Sequence, residues 1–211
     1  MICFDRDKLD GLARFYRGNL LNCATGVKPA LLIGTKSKSG KSNLALFSSV
    51  FHLGADPALI GFVQRPLTDF SHTYKNIIET GLFTINHVSS FDSARAHATS
   101  AKFDEDESEF SACGFEEEYA GAFFAPFVKT SPLRLAMRFV RQIPIEENST
   151  RIMIGAVEEI QVDESLLRDD GNIDPDRYSP LAVFGLETYL DSRVLARYAY
   201  AKPGVFPLPL T

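Results

Sequence analysis

Three short apolar runs, cut by two polar turns between residues 28 and 66, restrict what this chain can fold into more than any other feature. Residues 30–35 are almost continuously apolar, as in a strand covered on both faces. Residues 36–42 are Gly, Ser and Lys, the composition of a hairpin turn. Residues 43–53 and 59–64 are rich in Phe, Val, Ile and Leu and predict two further strands, joined at Gly54-Ala55-Asp56-Pro57. Strands this close in sequence, with no helix between them, pair antiparallel. The regular strand–helix–strand alternation of a Rossmann sheet is absent.

The rest of the chain extends this pattern. Residues 73–80 place Ile77 and Ile78 on one side and predict a short helix ending at Gly81. Residues 83–88 read as a strand, residues 91–100 and 107–112 as short helices, with Gly114 ending the second. Two long β-like runs, 133–145 and 151–162, flank a turn at Glu146-Glu147-Asn148-Ser149. The first 25 or so residues are weakly helical and are expected to pack on the barrel or on a partner subunit. The closing residues 203–211 hold three prolines and predict no regular element, either a disordered tail or an arm across another subunit. Many strands with few helices predict a mainly β fold, an antiparallel β-barrel with short helices, in a single domain spanning residues 1–211.

The net charge of −5 argues against general binding of nucleic acid, which needs a concentrated basic surface. No apolar stretch reaches the roughly 20 residues of a membrane helix, and the charged N-terminus lacks the apolar run of a secretion signal. Cys3, Cys23 and Cys113 are odd in number and far apart, and read as reduced thiols of a cytoplasmic protein. His52, His87 and His97 show no zinc-like spacing, so no metal is expected. Gly34 to Ser42 imitates a phosphate-binding P-loop after a strand. That motif needs four residues between its glycines, whereas five separate Gly34 from Gly40. A helix should also follow, yet Phe47, Val50 and Phe51 favour a strand.

A few polar residues interrupt the apolar pattern. Ser48 and Ser49 are consecutive serines in an apolar strand, costly if buried without partners. Either they bond to neighbouring strands or sit at an edge, or their hydroxyls and amides face a ligand. Arg65 closes the next strand before Pro66, which stops further pairing. It is suited to bidentate phosphate binding, or is an ordinary strand-end arginine. His72, Thr73 and Asn76 cluster at a helix start, where Thr73 serves as a cap or the helix end receives an anion. Lys102, in Ser100-Ala101-Lys102-Phe103, adds a second cation.

Taken in order, these segments resemble the flavin reductase-like, FMN-binding split-barrel family along most of the chain. The resemblance rests on Pro29 to Thr35, Gly40 and Asn43 with Ser48-Ser49, and Asp56-Pro57 to Arg65-Pro66. It continues through His72-Thr73, Asn76-Ile77, Ile85-Asn86, the SAKFDEDESEFSACGF segment and the Ser131-Pro132 strand entry, then IGAVEEIQVDESLL, Asp174-Pro175 and Tyr178 to Pro180. It implies a homodimer of split barrels with FMN, in preference to FAD, near the subunit interface. Ser48 and Ser49 are then expected at the flavin, Phe47 against its ring, Arg65, Thr73, Asn76 and Lys102 around the ribityl phosphate, and Tyr189 lining the pocket.

The implied activity is hydride transfer through flavin N5, from NADH or NADPH to flavin or another acceptor, with no catalytic side chain required because the cofactor performs the chemistry. No Gly-x-Gly-x-x-Gly fingerprint is present, so nicotinamide is expected to bind transiently in an open cleft. The alternatives are a flavin-binding electron carrier or sensor without NAD(P)H turnover, and a split barrel that has lost its flavin. One departure stands out. Many relatives carry Glu-Cys after the Ser-Pro strand entry, and this chain has Ala136-Met137, so substrate preference does not carry over.

Overall fold

The computed structural model describes residues 1–210. Two helices, α1 (Arg6–Asp10) and α2 (Arg14–Ala24), precede the barrel. Asp5 caps α1 by accepting the Lys8 N–H, and neither helix buries a residue. The strands follow as β1 (Val27–Pro29), β2 (Leu31–Lys36), β3 (Ser42–Phe47), β4 (Val50–Ala55) and β5 (Ala58–Gln64). Helix α3 (His72–Thr80) ends at Gly81, which takes the left-handed conformation its sequence predicts and donates to the Ile77 carbonyl. Then come β6 (Leu82–His87), α4 (Ser93–Ala98), α5 (Glu109–Ala112), and the short β7 (Glu117–Glu118) and β8 (Phe127–Val128). The long β9 (Leu133–Ile145) and β10 (Thr150–Val162) precede β11 (Leu181–Phe184) and β12 (Thr188–Asp191). Among the described residues, no helix is long and apolar enough to cross a membrane.

Seven strands form one antiparallel sheet in the order β3-β2-β6-β9-β10-β5-β4. The side chains of β2 alternate between two apolar clusters, as a strand covered on both faces requires. Leu31 and Ile33 face the barrel interior with Phe62, Phe83, Ile85, Leu135, Met137 and Met153, and Ile77 of α3 joins them. Leu32 faces the outer cluster, where Leu44 and Ala96, Phe110 and Val183 from α4, α5 and β11 cover the sheet. There β1, β11 and β12 form a second, three-stranded sheet. Ala136 and Met137, the departure noted in the sequence, are both buried, with Met137 filling the interior.

The expected strand over residues 43–53 is two strands: β3 stops at Phe47 and β4 starts at Val50. Apolar composition continues through the break, so composition alone hides it. Residues 37–41 form a hairpin turn between β2 and β3 and not a P-loop: Ser37 N–H donates to the Lys41 carbonyl at 2.9 Å, and a strand, not a helix, follows. Among the described residues the tail holds no helix or strand, as expected, and folds back on itself through isolated bridges pairing Tyr198 with Pro209 and Lys202 with Val205.

The long β9–β10 hairpin joins the two halves of the sheet. β6 pairs with Arg134 to Arg138 of β9, whereas β5 pairs with Arg151 to Ala156 of β10. Arg138 and Ala156 are opposite each other, so the halves grip successive stretches of the hairpin. Register shifts at Ile154/Gly155 and Val157/Glu159 mark the changeover, where bulges bend a strand.

Gly34 sits where the strand meets the loop before β8. A Cβ there would lie 2.4 Å from the Pro126 carbonyl oxygen and 2.6 Å from Thr84 Oγ1. That hydroxyl donates to the same Pro126 carbonyl at 2.7 Å, so neither atom has room to retreat. Gly34→Ala is expected to destabilise the fold by about 2 kcal/mol through overpacking, read as a lower denaturant midpoint with unchanged slope.

Candidate functional site

The two edge strands of the sheet, β3 and β4, are consecutive in the chain yet do not pair with each other. Ser48 and Ser49 are the whole link between them. The barrel is split at this seam, and the two serines carry backbone groups that no ladder claims in full. The Ser49 carbonyl accepts the Val63 N–H of β5 at 3.1 Å, which holds the seam against the barrel wall. Phe47 turns inward beside it, edge-on to Phe62 with centroids 5.1 Å apart.

Both serines are half-buried and line a hollow of about 420 Å³. Leu21 of α2, Val27 and Pro29 of β1, and Val50 and Phe51 of β4 give it apolar walls. Lys28 is its cation and no carboxylate lines it. The Lys28 ammonium donates to the Asn22 carbonyl at 2.8 Å and Thr25 Oγ1 at 3.1 Å, both neutral acceptors, so its charge is uncompensated. Lys28 carried no signal in the sequence, because its place is set by the pairing of β1 with the distant β11, where it lies opposite Val183.

Arg65 follows β5 two positions after Val63 and is exposed. Arg65 and Lys102 belong to none of the ion pairs among the described residues. Lys102 lies over the Phe70 ring at 5.5 Å, and Phe70 neighbours His72 at the start of α3, with centroids 6.4 Å apart. The loop from Arg65 to Ser71 thus carries the chain from the seam's flank to the helix start.

Thr73 and Asn76 are buried and already engaged. Asn43 donates to Thr73 Oγ1 at 2.9 Å, and Asn76 donates to Thr35 Oγ1 at 3.1 Å. These bonds fasten α3 to β3 and β2, so both residues set the position of the helix start. Asn76 also reaches a separate groove of about 490 Å³ between the β2–β3 turn and α3. Glu79, Glu105 and Glu107 line that groove against Lys41 and Lys75, and Lys41 is paired with Asp106. That surplus of carboxylates makes it a poor place for an anion, in contrast to the seam.

Tyr189 lies in β12 and packs on the outer cluster, with its hydroxyl 2.9 Å from His97 Nδ1. A second pair repeats this arrangement: the Tyr178 hydroxyl is 3.1 Å from His87 Nδ1. Burial lowers the His87 pKa to about 4 and raises those of both tyrosines. Each pair ties the C-terminal third of the chain to the barrel side. The structure therefore brings Phe47, Ser48, Ser49 and Arg65 to the seam, places Thr73, Asn76 and Lys102 around the start of α3, and sets Tyr189 in the outer layer.

Glu109 is a further structural element of the site. Its buried carboxylate accepts the Leu44 N–H of β3 at 3.0 Å. Desolvation raises its pKa, partly offset by that bond. It covers the outer edge of β3 with α5, whereas β4, beyond the seam, presents exposed Phe51 and Leu53. The Ser-Glu-Phe triplet was visible in the sequence; its bond to β3 was not. Among the described residues, no group of three or more His, Cys, Asp or Glu could hold a metal ion.

This geometry has relatives. A crystal structure of a candidate flavin reductase with a split barrel domain, from Shewanella frigidimarina NCIMB 400, superposes with a TM-score of 0.91 at 40% identity, covering 95% of this chain and 100% of that one. Nitrilotriacetate monooxygenase component B from Bacillus cereus shares the fold, with a TM-score of 0.83 at 23% identity over 93% of this chain and 98% of its own. An uncharacterized protein of Halalkalibacterium halodurans is 30% identical over 179 residues, 82% of this chain and 85% of the relative. The family model of the flavin reductase like domain matches residues 25–183, from the turn before β1 into β11, so that the seam and the helix start both lie inside the match. This chain is a split-barrel member of the flavin reductase-like domain family.

Proposed function

We propose that this chain is an FMN-binding oxidoreductase that receives hydride from NADH or NADPH and passes electrons to flavin or another small acceptor. The observation that carries the reading is the seam: two serines between edge strands that do not pair with each other, and an apolar hollow without a carboxylate, with exposed Arg65 two positions after Val63, whose N–H the Ser49 carbonyl accepts. The donor set fits FMN. Ser48 and Ser49 offer hydroxyls and backbone groups to the polar edge of a flat ring, and Val50 offers apolar contact, with Phe47 packed behind it against Phe62. Arg65 and Lys102 supply positive charge for a phosphate, and a guanidinium suits it bidentately. Thr73 and Asn76 hold the start of α3 in place beside them, and Tyr189 braces the outer wall through His97.

When bound, the flavin supplies the hydride-accepting centre. The chain's own part is to orient reactants, and alignment accounts for much of the rate in such transfers. The hollow's open side leaves room for a nicotinamide to approach and depart. No side chain here is asked to move a proton.

The purified chain is expected to be yellow, or its apoprotein to bind FMN with a Kd of about 1 μM or tighter, equivalent to about −8 kcal/mol. NADH or NADPH should then bleach the flavin anaerobically. Absence of any FMN binding would overturn the reading. Binding without bleaching would leave an electron carrier or sensor in its place.

A further inference from the structure

The groove between the β2–β3 turn and α3, about 490 Å³ in volume, is lined by neither the seam serines nor Arg65 nor Lys102. Two asparagines form its floor: Asn43 is 6% exposed and Asn76 is 7% exposed. Each uses its amide nitrogen on a threonine, Asn43 on Thr73 Oγ1 and Asn76 on Thr35 Oγ1. The Oδ1 of each accepts no side-chain or backbone donor among the described residues. No fully buried side-chain oxygen lacks a partner, so both of these oxygens reach open space, and the groove is the space their residues line. Two carbonyl acceptors on side chains this buried are left for a donor that enters the groove.

Carboxylates reach the same space from two walls. Glu79 belongs to α3 and accepts the Lys38 N–H of the turn at 3.2 Å. Glu105 and Glu107 belong to the loop before α5, are exposed, and take part in no ion pair among the described residues. The groove's own cations are directed elsewhere: Lys41 is paired with Asp106, and the Lys75 ammonium donates to the Asp69 carbonyl at 2.7 Å. Three carboxylates therefore outnumber the one ammonium that no acid neutralises. They do not converge on a point, since no group of three or more His, Cys, Asp or Glu among the described residues could hold a metal ion. Tyr74 and Ile78, one turn apart on α3, add an apolar strip along the groove.

We propose that this groove binds a linear aliphatic polyamine, whose ammonium groups donate to Asn43 and Asn76 Oδ1 and face Glu79, Glu105 and Glu107. An alkylammonium carries three N–H donors and no acceptor, the complement of open carbonyls set among carboxylates. Hydrogen bonds from an ionised donor are also stronger than neutral ones. A metal ion does not suit acids spread over two walls, and a single ammonium reaches only one of them. Several ammonium groups on one methylene chain reach both, while the methylenes lie along Tyr74 and Ile78 as a lysine stem lies on apolar surface. Such binding requires no flavin and stands apart from the function proposed above.

Calorimetric titration of the full chain with spermidine, in about 0.15 M salt to screen diffuse attraction, is expected to show saturable binding at one site. Butylamine and magnesium chloride should bind about tenfold more weakly or worse, since neither engages both walls at once. Glu105→Gln/Glu107→Gln should weaken spermidine about five- to tenfold, the joint loss of two exposed ion pairs. Its denaturant midpoint should not change, because both side chains are exposed and unpaired. In nitrogen-edited NMR spectra the side-chain amide signals of Asn43 and Asn76 should move on adding spermidine, and that of Asn22 in α2 should not. No saturable binding, equal affinity for magnesium, an unaffected double variant, or unmoved Asn43 and Asn76 signals overturns the proposal. Preferential binding of inorganic phosphate also overturns it, since the asparagines would then present their amide nitrogens to the groove. If spermidine binds and FMN does not, the flavin reading fails while the polyamine site stands.

Discussion

Replacing Arg65 with alanine is expected to weaken FMN binding by about 10- to 100-fold, the range set by one hydrogen-bonded charge contact of roughly 1.5–3 kcal/mol. The effect should appear in affinity and not in stability. Arg65 is exposed and belongs to no ion pair among the described residues, so its loss leaves no buried group stranded. Arg65→Lys should recover part of the affinity, since it keeps the charge but loses the planar fork. Titration of the apoproteins with FMN, alongside their denaturant midpoints, separates the two quantities. An unchanged Kd in Arg65→Ala would remove this arginine from the phosphate site and place the anion near Lys28 or Lys102.

The second large effect is on stability. His87 has a folded pKa of about 4, lowered from 6.5 by desolvation, while its Nδ1 faces the Tyr178 hydroxyl. In the unfolded chain the imidazole takes up a proton as the pH falls through about 6.5; in the folded chain it stays neutral down to about 4. Between those values the unfolded state binds more protons, so stability falls as the pH drops. The loss attributable to His87 is up to about 3 kcal/mol across that window. Urea denaturation from pH 7 to pH 4 should show this slope, and His87→Gln should flatten it. Equal slopes in the two proteins would assign the acid sensitivity to other groups.

The contrast between Arg65 and Thr73 shows how far the sequence reached. Strand and helix order was legible because apolar runs and Gly, Pro and Asn punctuation are local signals: α3 and its Gly81 cap, β5 with Arg65-Pro66, and the long β9 and β10 lie within a residue or two of their expected bounds. The break at Ser48 was not legible, since Phe47 and Val50 on either side are equally suited to a strand. Only the failure of β3 and β4 to pair reveals it, and that is a property of the assembled sheet. Thr73 and Asn76 look like free polar groups in the sequence, whereas Asn43 and Thr35, distant in the chain, engage them. Tyr189 illustrates the same blindness, because its partner His97 is 92 positions away. The hollow itself draws on α2, β1 and β4, three separate elements between residues 21 and 51 that only the fold sets around one space.

The staggered grip on the β9–β10 hairpin has a consequence for how the barrel comes apart. The half carrying β2, β3 and β6 and the half carrying β4 and β5 share no backbone hydrogen-bonded path except this hairpin. Within residues 134–138 and 151–156, the amides that point away from the hairpin partner, toward β6 or β5, each report on one half. Near the changeover, a Cβ on Gly155 would meet the Phe83 ring at 2.6 Å, so the corner is closed by tight packing across the joint. Hydrogen exchange should therefore resolve two cooperative units, each opening at its own free energy, with the Ser48–Ser49 link slackening whenever either one does.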